Sequence, residues 1–333
     1  MKLYIVSKAT IYNKFLACGI ELGEVIYQDF NNCSYSYTKV KNLKEVMEDD
    51  ITAVVYNDTP FVTLSKLKEL AQNIKNGIAD GYKIGDGYIR LKGTSLSNAE
   101  VVQTLKVDSF ETYETAKETF KRQIFENHIK NGVKILDFNT TFIDYQVKIG
   151  KDTIVHPMNY IKGDSEIGKS AIINPYNDLT NVKIGNGTDI SASFAVDTLI
   201  GTNCTVGPFA TFRKGSVVKD RCRVGNYVEI KNSTLEDDVK AAHLAYVGDS
   251  YVGENTNIGC GVIFANYDGV QKRGVTVQKN AFIGCNTNLI APVSVGENAY
   301  IAAGSTITQD VPSNSLGIAR GRQTNKIDWQ RPT

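Results

Sequence analysis

Histidine is scarce in this chain: His128, His156 and His243 are the only three in 333 residues, and they lie far apart. The six cysteines, Cys18, Cys33, Cys204, Cys222, Cys260 and Cys285, contain no Cys-x-x-Cys pair. These two shortages argue against a zinc site, whose ligands come as closely spaced Cys and His pairs. Buried free thiols are the expected state of the cysteines. An excess of one charge is missing too, since 37 Lys and Arg against 36 Asp and Glu leave a net charge of +1. Neither nucleic acid nor an anionic membrane is therefore expected as the main partner. No apolar run nears the roughly 20 residues of a membrane span. Met-Lys-Leu-Tyr-Ile-Val-Ser is too short an apolar start for a signal peptide, so a cytoplasmic location is expected.

A hydrophobic share of 42% and a charged share of 22% are ordinary for a soluble globular protein, and the length exceeds that of a usual single domain. Residues 1–107 read as a small α/β domain. Lys2 to Val6 and Ile51 to Tyr56 have strand character. Leu64, Leu67, Ala71 and Ile74 recur at helical spacing, with Asn76-Gly77 as the stop. Tyr82-Lys83-Ile84 and Tyr88-Ile89-Arg90 flank a Gly-Asp-Gly turn and predict a hairpin. Residues 108–132 predict a connecting helix. Ser109 is its cap, Tyr113, Ala116, Phe120, Ile124 and His128 form one face, and Gly132 ends it.

From residue 133 the pattern changes. Ile149, Val155, Ile161, Ile167, Ile173 and Leu179 are six apart, as are Ile200, Val206, Phe212, Val218, Val224 and Ile230. Val252, Ile258 and Phe264 form a shorter run, and Val277, Ile283, Leu289, Val295, Ile301 and Ile307 a last one. An aliphatic residue every six, with turn formers just after it, is the signature of a parallel β-helix, left-handed in the known hexapeptide cases. The predicted fold is mainly β: such a helix over residues 133–312, roughly ten coils, then a C-terminal arm over 313–333. Two breaks interrupt it. Ile230 to Val252 is 22 residues, four more than a coil of three hexads, and His243 falls in the excess. Phe264 to Val277 is 13, one more than two hexads, and contains Asn266 to Lys272. A rigid frame that departs from its rule where polar groups gather is expected to present functional loops there.

Arg213 and Lys231 are 18 residues apart, one full coil, so the repeat stacks two cations. Either they point outward as solvated side chains or they clamp an anion such as phosphate. Glu229 shares a face with Lys231. It is positioned either to orient and support His243 or to form a plain Glu–Lys surface pair.

The motifs Val-Gly-Pro-Phe-Ala from Val206, Val-Gly-Asn-Tyr-Val-Glu-Ile-Lys from Val224, His-Leu-Ala-Tyr-Val-Gly-Asp from His243, Asn-Ile-Gly from Asn257 and Asn-Tyr-Asp-Gly from Asn266 carry a resemblance. Gly284 to Asn286, Ile301-Ala302-Ala303-Gly304, Arg320, Gln323-Thr324, Lys326 and Trp329 to Pro332 extend it. In this order they resemble the C-terminal half of the GlmU family. Its members join glucosamine-1-phosphate acetyltransferase to N-acetylglucosamine-1-phosphate uridyltransferase.

The resemblance implies that Arg213, Lys231, Tyr246 and Lys272 hold a sugar phosphate, that Asn257 contacts the sugar and that His243 is the base. Asn266 and Tyr267 are implied at the acetyl end, and Cys260, Cys285, Ala303 and Arg320 at acetyl-CoA. The family has Ala where Cys260 stands and Ser where Cys285 stands, so one hydroxyl hydrogen bond to CoA is missing here. A homotrimer is implied as well. Chemically, an ammonium must lose a proton before it attacks a thioester, and a histidine titrates near neutrality. A donor such as the Asn266 amide then meets the developing oxyanion.

Tyr56-Asn57-Asp58-Thr59-Pro60 is similar to the Tyr-Gly-Asp-x-Pro segment of the family's uridyltransferase domain. There the Asp binds Mg²⁺, with Val107-Asp108-Ser109 standing where a second ligand would be. No glycine-rich phosphate loop is present near the start, so nucleotidyl transfer is not expected. Two further readings stay open: acylation of another amino sugar or sugar nucleotide, and a non-catalytic scaffold.

Overall fold

The computed structural model describes residues 1–6, 16–18, 20–21, 36–41, 43–47, 50–97 and 99–331. Cys33 and Pro332 lie outside the described residues. Two compact units divide the chain, Met1–Ile124 and Phe125–Thr333.

In the first unit, six strands form one sheet in the order Thr38–Val40, Lys2–Val6, Ile51–Tyr56, Gly87–Leu91, Gly81–Ile84, Glu100–Val102. Ile51–Tyr56 is buried at every position, which is why it reads as an unbroken apolar run. The hairpin forms as expected, antiparallel through Gly85 at φ 56°. Helix α1 (Leu64–Lys75) starts at Thr63, whose hydroxyl accepts from the Lys66 N–H, and buries Leu64, Leu67, Leu70, Ala71 and Ile74. Helix α2 (Phe110–Lys130) begins in the first unit and ends in the second. The Thr112 N–H donates to Ser109 Oγ at 3.2 Å, and Gly132 closes the helix at φ 87°. Ala116, Phe120, Ile124 and His128 are buried along it. Burial holds His128 below the usual imidazole pKa, as befits a packing residue.

The second unit is a parallel β-solenoid. Its first rung is Lys134–Ile135 and its last is Leu316–Gly317, in register with Tyr300–Ile301. The coil thus runs past residue 312, and the first residues of the expected arm complete a rung. One face is a nine-stranded parallel sheet. Its inward residues Ile149, Ile167, Ile184, Ile200, Val218, Leu235, Val252, Val277 and Val295 are all buried. Corner residues Asn203, Asp238, Asn255, Asn280 and Asn298 take φ of 53–61°, a left-handed conformation that Asn and Asp tolerate better than other side chains. Buried polar side chains stack in ladders. Asn177 Nδ2 donates to Asn159 Oδ1 at 3.0 Å, and the Ser193 N–H donates to Asn177 Oδ1 at 2.9 Å.

The first expected break is not an insertion. Ile230, Leu235, Ala241, Val247 and Val252 all point inward with no exposure, at steps of five or six. Those 22 residues hold four ordinary faces, so there is no excess. His243 lies on a nine-residue strand, Lys240–Gly248, paired in register along Arg223–Lys231. Alanine at 241 and a five-residue step at Leu235 hid the period. The second break is real and larger than the sequence implied. Val252 stacks on Val277, 25 residues on, whereas neighbouring coils take 17 and 18. The excess leaves the coil as a loop after Ala265, closed by the Arg273 N–H donating to Asn266 O at 2.8 Å and by a Tyr267–Lys272 bridge.

The cysteines divide. Cys204 and Cys222 are buried and Cys18 is half-buried, but Cys260 and Cys285 are exposed, against expectation. Both exposed thiols sit in turns between strands, at corners rather than on inward positions. The in-and-out alternation gives a stability test. Phe264→Ala, at a fully buried site, is expected to cost about 3–5 kcal/mol in chemical unfolding. Ile263→Ala, one residue away and 38% exposed, is expected to cost under about 1 kcal/mol. Equal losses would contradict the assigned faces.

Candidate active site

One outer face carries the polar groups, and its strands place them. Thr211 stands opposite Glu229 and Arg213 opposite Lys231. One coil on, Glu229 faces Tyr246 and Lys231 faces Gly248. Arg213 and Lys231 are therefore neighbours on successive coils, as the 18-residue spacing requires. Each cation already has a carboxylate partner. Arg213 Nη1 donates to Glu229 Oε1 at 3.2 Å, between side chains 55% and 39% exposed, a pair of small energetic worth. Lys231 Nζ donates to both Asp249 oxygens, at 2.9 and 3.1 Å, between side chains only 16% exposed. Glu229 is thus engaged by Arg213, not by His243 or Lys231.

Asp249 is the hub. It also accepts from Asn232 Nδ2 at 2.9 Å and from Asn266 Nδ2. Burial pushes the Asp249 carboxyl up, but hydrogen bonds from Asn232, Lys231 and Asn266 together outweigh it and hold the group below its ordinary value. Asp249 in turn holds the Lys231 ammonium above its ordinary value, and Lys272 bears on the same ammonium from the loop. Gly248 makes room for this cluster. A Cβ there would lie 2.4 Å from Tyr246 Oη and 2.7 Å from Asn266 Nδ2. Asn266 is buried at the root of the loop, while Tyr267 is 59% exposed and donates its hydroxyl to Gly269 O at 2.6 Å. Asp268 braces the loop by accepting the Val270 and Gln271 N–H groups.

A second set of residues stacks at a corner. His243 is exposed and stands opposite Asn226. Above it, the Gly261 N–H donates to Leu244 O at 2.6 Å, the Asn286 N–H to Cys260 O at 2.7 Å, and the Gly304 N–H to Cys285 O at 2.8 Å. His243, Cys260, Cys285 and Ala303 therefore occupy successive coils of one column. Arg320 Nη1 closes it by donating to Ala303 O at 2.9 Å. Asn257 stands on the preceding strand of the Cys260 coil, opposite Lys240 and Phe282. Strand Lys240–Gly248 joins the two sets, with His243 near its middle and Tyr246 and Gly248 at its end.

The bacterial transferase hexapeptide family (six repeats) matches residues 197–232 and 274–309. The bifunctional protein GlmU of Brevibacillus brevis is 44% identical over 270 residues, covering 79% of this chain and 59% of that protein. The GlmU of a Geobacillus species is 44% identical over 334 residues, covering 97% of this chain and 71% of that one. The chain belongs to the GlmU family. Against other relatives it spans less, 52% of the GlmU of Caldicellulosiruptor saccharolyticus at 49% identity. Among solved structures, the UDP-N-acetylglucosamine acyltransferase from Campylobacter jejuni overlaps at a TM-score of 0.37 and 21% identity, over 56% of this chain and 71% of that one.

In this GlmU relative, Asp249 is a site residue that the candidate set drawn from sequence lacks, although it closes the His243 to Asp249 motif. The signal was available, because Lys231 plus one coil reaches Gly248-Asp249. A carboxyl held low in the folded state stabilises fully above its unfolded pKa of about 4 and loses that contribution as pH falls through the lower folded value. Urea unfolding of the wild type and Asp249→Asn is expected to differ most near pH 7 and to converge as pH falls below about 4. A gap that widens on acidification would contradict this.

Proposed function

We propose that this chain transfers the acetyl group of acetyl-CoA to the amine of glucosamine 1-phosphate, releasing N-acetylglucosamine 1-phosphate and free CoA. The observation that carries the reading is one strand, Lys240–Gly248, linking the cation cluster to the corner column that starts at His243. In this reading, Arg213, Lys231 and Lys272 take the phosphate, the first bidentately and the other two as point charges. Tyr246 joins them at the phosphate, and Asn257 contacts the sugar. Cys260, Cys285, Ala303 and Arg320 line the path of the CoA, with Tyr267 and Asn266 at its acetyl end.

His243 removes a proton from the substrate ammonium. The free amine attacks the thioester carbonyl, the developing oxyanion is met by an N–H such as that of Asn266, and as the C–S bond breaks the nitrogen gives its second proton to the departing sulfur, so that CoA leaves as the thiol. No residue of the chain is acylated. Glu229 has no part in supporting His243 here. Its pairing with Arg213 suits a side chain that keeps the phosphate-binding cation in place until substrate arrives. A homotrimer in the cytoplasm goes with the family reading; among the described residues no helix is long and apolar enough to cross a membrane.

Uridyl transfer forms no part of this reading. Asp58 is buried at the end of its strand, and the Val107 N–H donates to its backbone oxygen at 2.8 Å. Asp108 beside it already pairs with the Lys106 ammonium at 3.6 Å, and Asp86 with the same ammonium at 3.2 Å. Carboxylates at Asp86 and Asp108 that share a lysine ammonium are a poor fit for a bound Mg²⁺, and no step is routed through one.

CoA release from acetyl-CoA and glucosamine 1-phosphate is the test, with pyrophosphate release from UTP and N-acetylglucosamine 1-phosphate as its companion. Steady CoA release is expected, reduced about 100-fold or more in His243→Ala, with no pyrophosphate. Absent CoA release, or full activity in His243→Ala, would defeat the proposal, and pyrophosphate release would overturn the view of the first unit.

A further inference from the structure

The Asp249 cluster joins groups that the proposed reaction uses at opposite ends of its substrates. Lys231 belongs to the phosphate side and Asn266 to the acyl side. They come from different parts of the coil, Lys231 at the end of a strand and Asn266 at the root of the inserted loop. Both meet one carboxylate, through Lys231 Nζ on both oxygens and Asn266 Nδ2 on Oδ2, with Asn232 Nδ2 fixing Oδ1. The carboxylate cannot drift, because its own N–H donates to Lys231 O at 2.9 Å.

We infer that Asp249 is a positioning residue: it ties the phosphate-side lysine and the acyl-side amide to one anchor and so sets their separation. This rests on the acetyl-transfer reading. Two consequences follow from the geometry. Asn266 stands on an insertion of seven or more residues, and its amide has Asp249 as a fixed partner in the coil below. Without that anchor the amide is placed only by the loop, and misplacement of about 1 Å is costly when two substrates must be aligned. Lys231 behaves differently. Its ammonium is shared between Asp249 and any incoming phosphate, so losing the carboxylate removes a competitor as well as a support. The anchor therefore matters to turnover more than to capture of the sugar phosphate.

The experiment compares full-length wild type, Asp249→Asn, Asn266→Ala and the double variant in CoA release with glucosamine 1-phosphate. Hydrogen exchange of the loop amides is followed in the same proteins without substrate. Asp249→Asn is expected to lower kcat about ten-fold or more, with KM for glucosamine 1-phosphate raised no more than about three-fold. The double variant is expected to match Asn266→Ala in kcat within about three-fold. The Arg273 amide, which bonds to Asn266 O, is expected to exchange about ten-fold faster in Asp249→Asn.

Unchanged kcat in Asp249→Asn would overturn the inference. So would kcat and KM worsening together with additive effects in the double variant, the mark of a merely structural residue. If the wild type releases no CoA at all, the acetyl-transfer reading fails, and unchanged exchange of the loop would then sink the anchor by itself.

Discussion

Inward side chains stacked on one another fix where every other residue of the second unit points. Phe212, Ile230, Val247, Phe264 and Leu289 pile along one face with no measurable exposure. In a strand the residues on either side of an inward one must face out. Arg213, Lys231 and Gly248 follow three successive inward residues, and Glu229, Tyr246 and Ile263 precede three. Adjacent strands lie about 4.8 Å apart, so the outer face is a grid whose rows are coils and whose columns are set by the period. A site drawn on such a grid inherits its precision from packing alone, because moving one column requires repacking the core beneath it.

Residues outside the grid need a different means of support. The loop after Ala265 bears Asn266, Tyr267 and Lys272, and its length frees it from the coil. Lengthening a connection costs little in closure entropy, so the insertion is tolerated energetically but leaves its side chains poorly placed. Three devices correct this. Asp268 accepts two N–H groups of the turn, which also hold its carboxyl below the ordinary value. A bridge joins Tyr267 to Lys272. Asp249, seated in the coil beneath, takes the Asn266 amide directly. The first two shape the loop, and the third relates it to the grid.

Much of this was legible in the residues. The six-residue period gives the solenoid, and the 18-residue interval between Arg213 and Lys231 correctly predicts their adjacency. Ser109 and Gly132 mark the ends of a helix for the capping reasons expected. What failed did so for physical reasons. Ala241 is inward but too small to signal an aliphatic position, and the five-residue step at Leu235 shifts the phase, so from sequence an ordinary coil reads as a loop around His243. Cys260 and Cys285 are exposed where buried thiols are expected, because composition speaks of cysteines in general and their exposure depends on falling at corners. Sequence leaves Glu229 two roles, support of His243 or a pair with Lys231 on its own strand, and its partner is instead Arg213. Register pairs it with Tyr246, and the 16-residue interval back to Arg213, two short of a coil, gave no signal for the salt bridge. One coil added to Lys231 reaches Asp249, so its place beside that lysine is legible in the spacing, but the convergence of Asn232 and Asn266 on the same carboxylate is not.

Solenoid energetics bear on how the two units relate functionally. Each coil touches its neighbours and little else, so stability is close to a sum of local terms. Every residue of the proposed acetyl-transfer site lies between Arg213 and Arg320, inside the second unit, and the hydrogen bonds that place these side chains come from that same span. The first unit matches the family as well, since the aligned Geobacillus GlmU covers 97% of this chain. In that unit the Lys106 ammonium pairs with Asp86 and Asp108. Because each rung from Arg213 onward rests on the rung before it, the proposed site draws its geometry from the stacking of the solenoid itself.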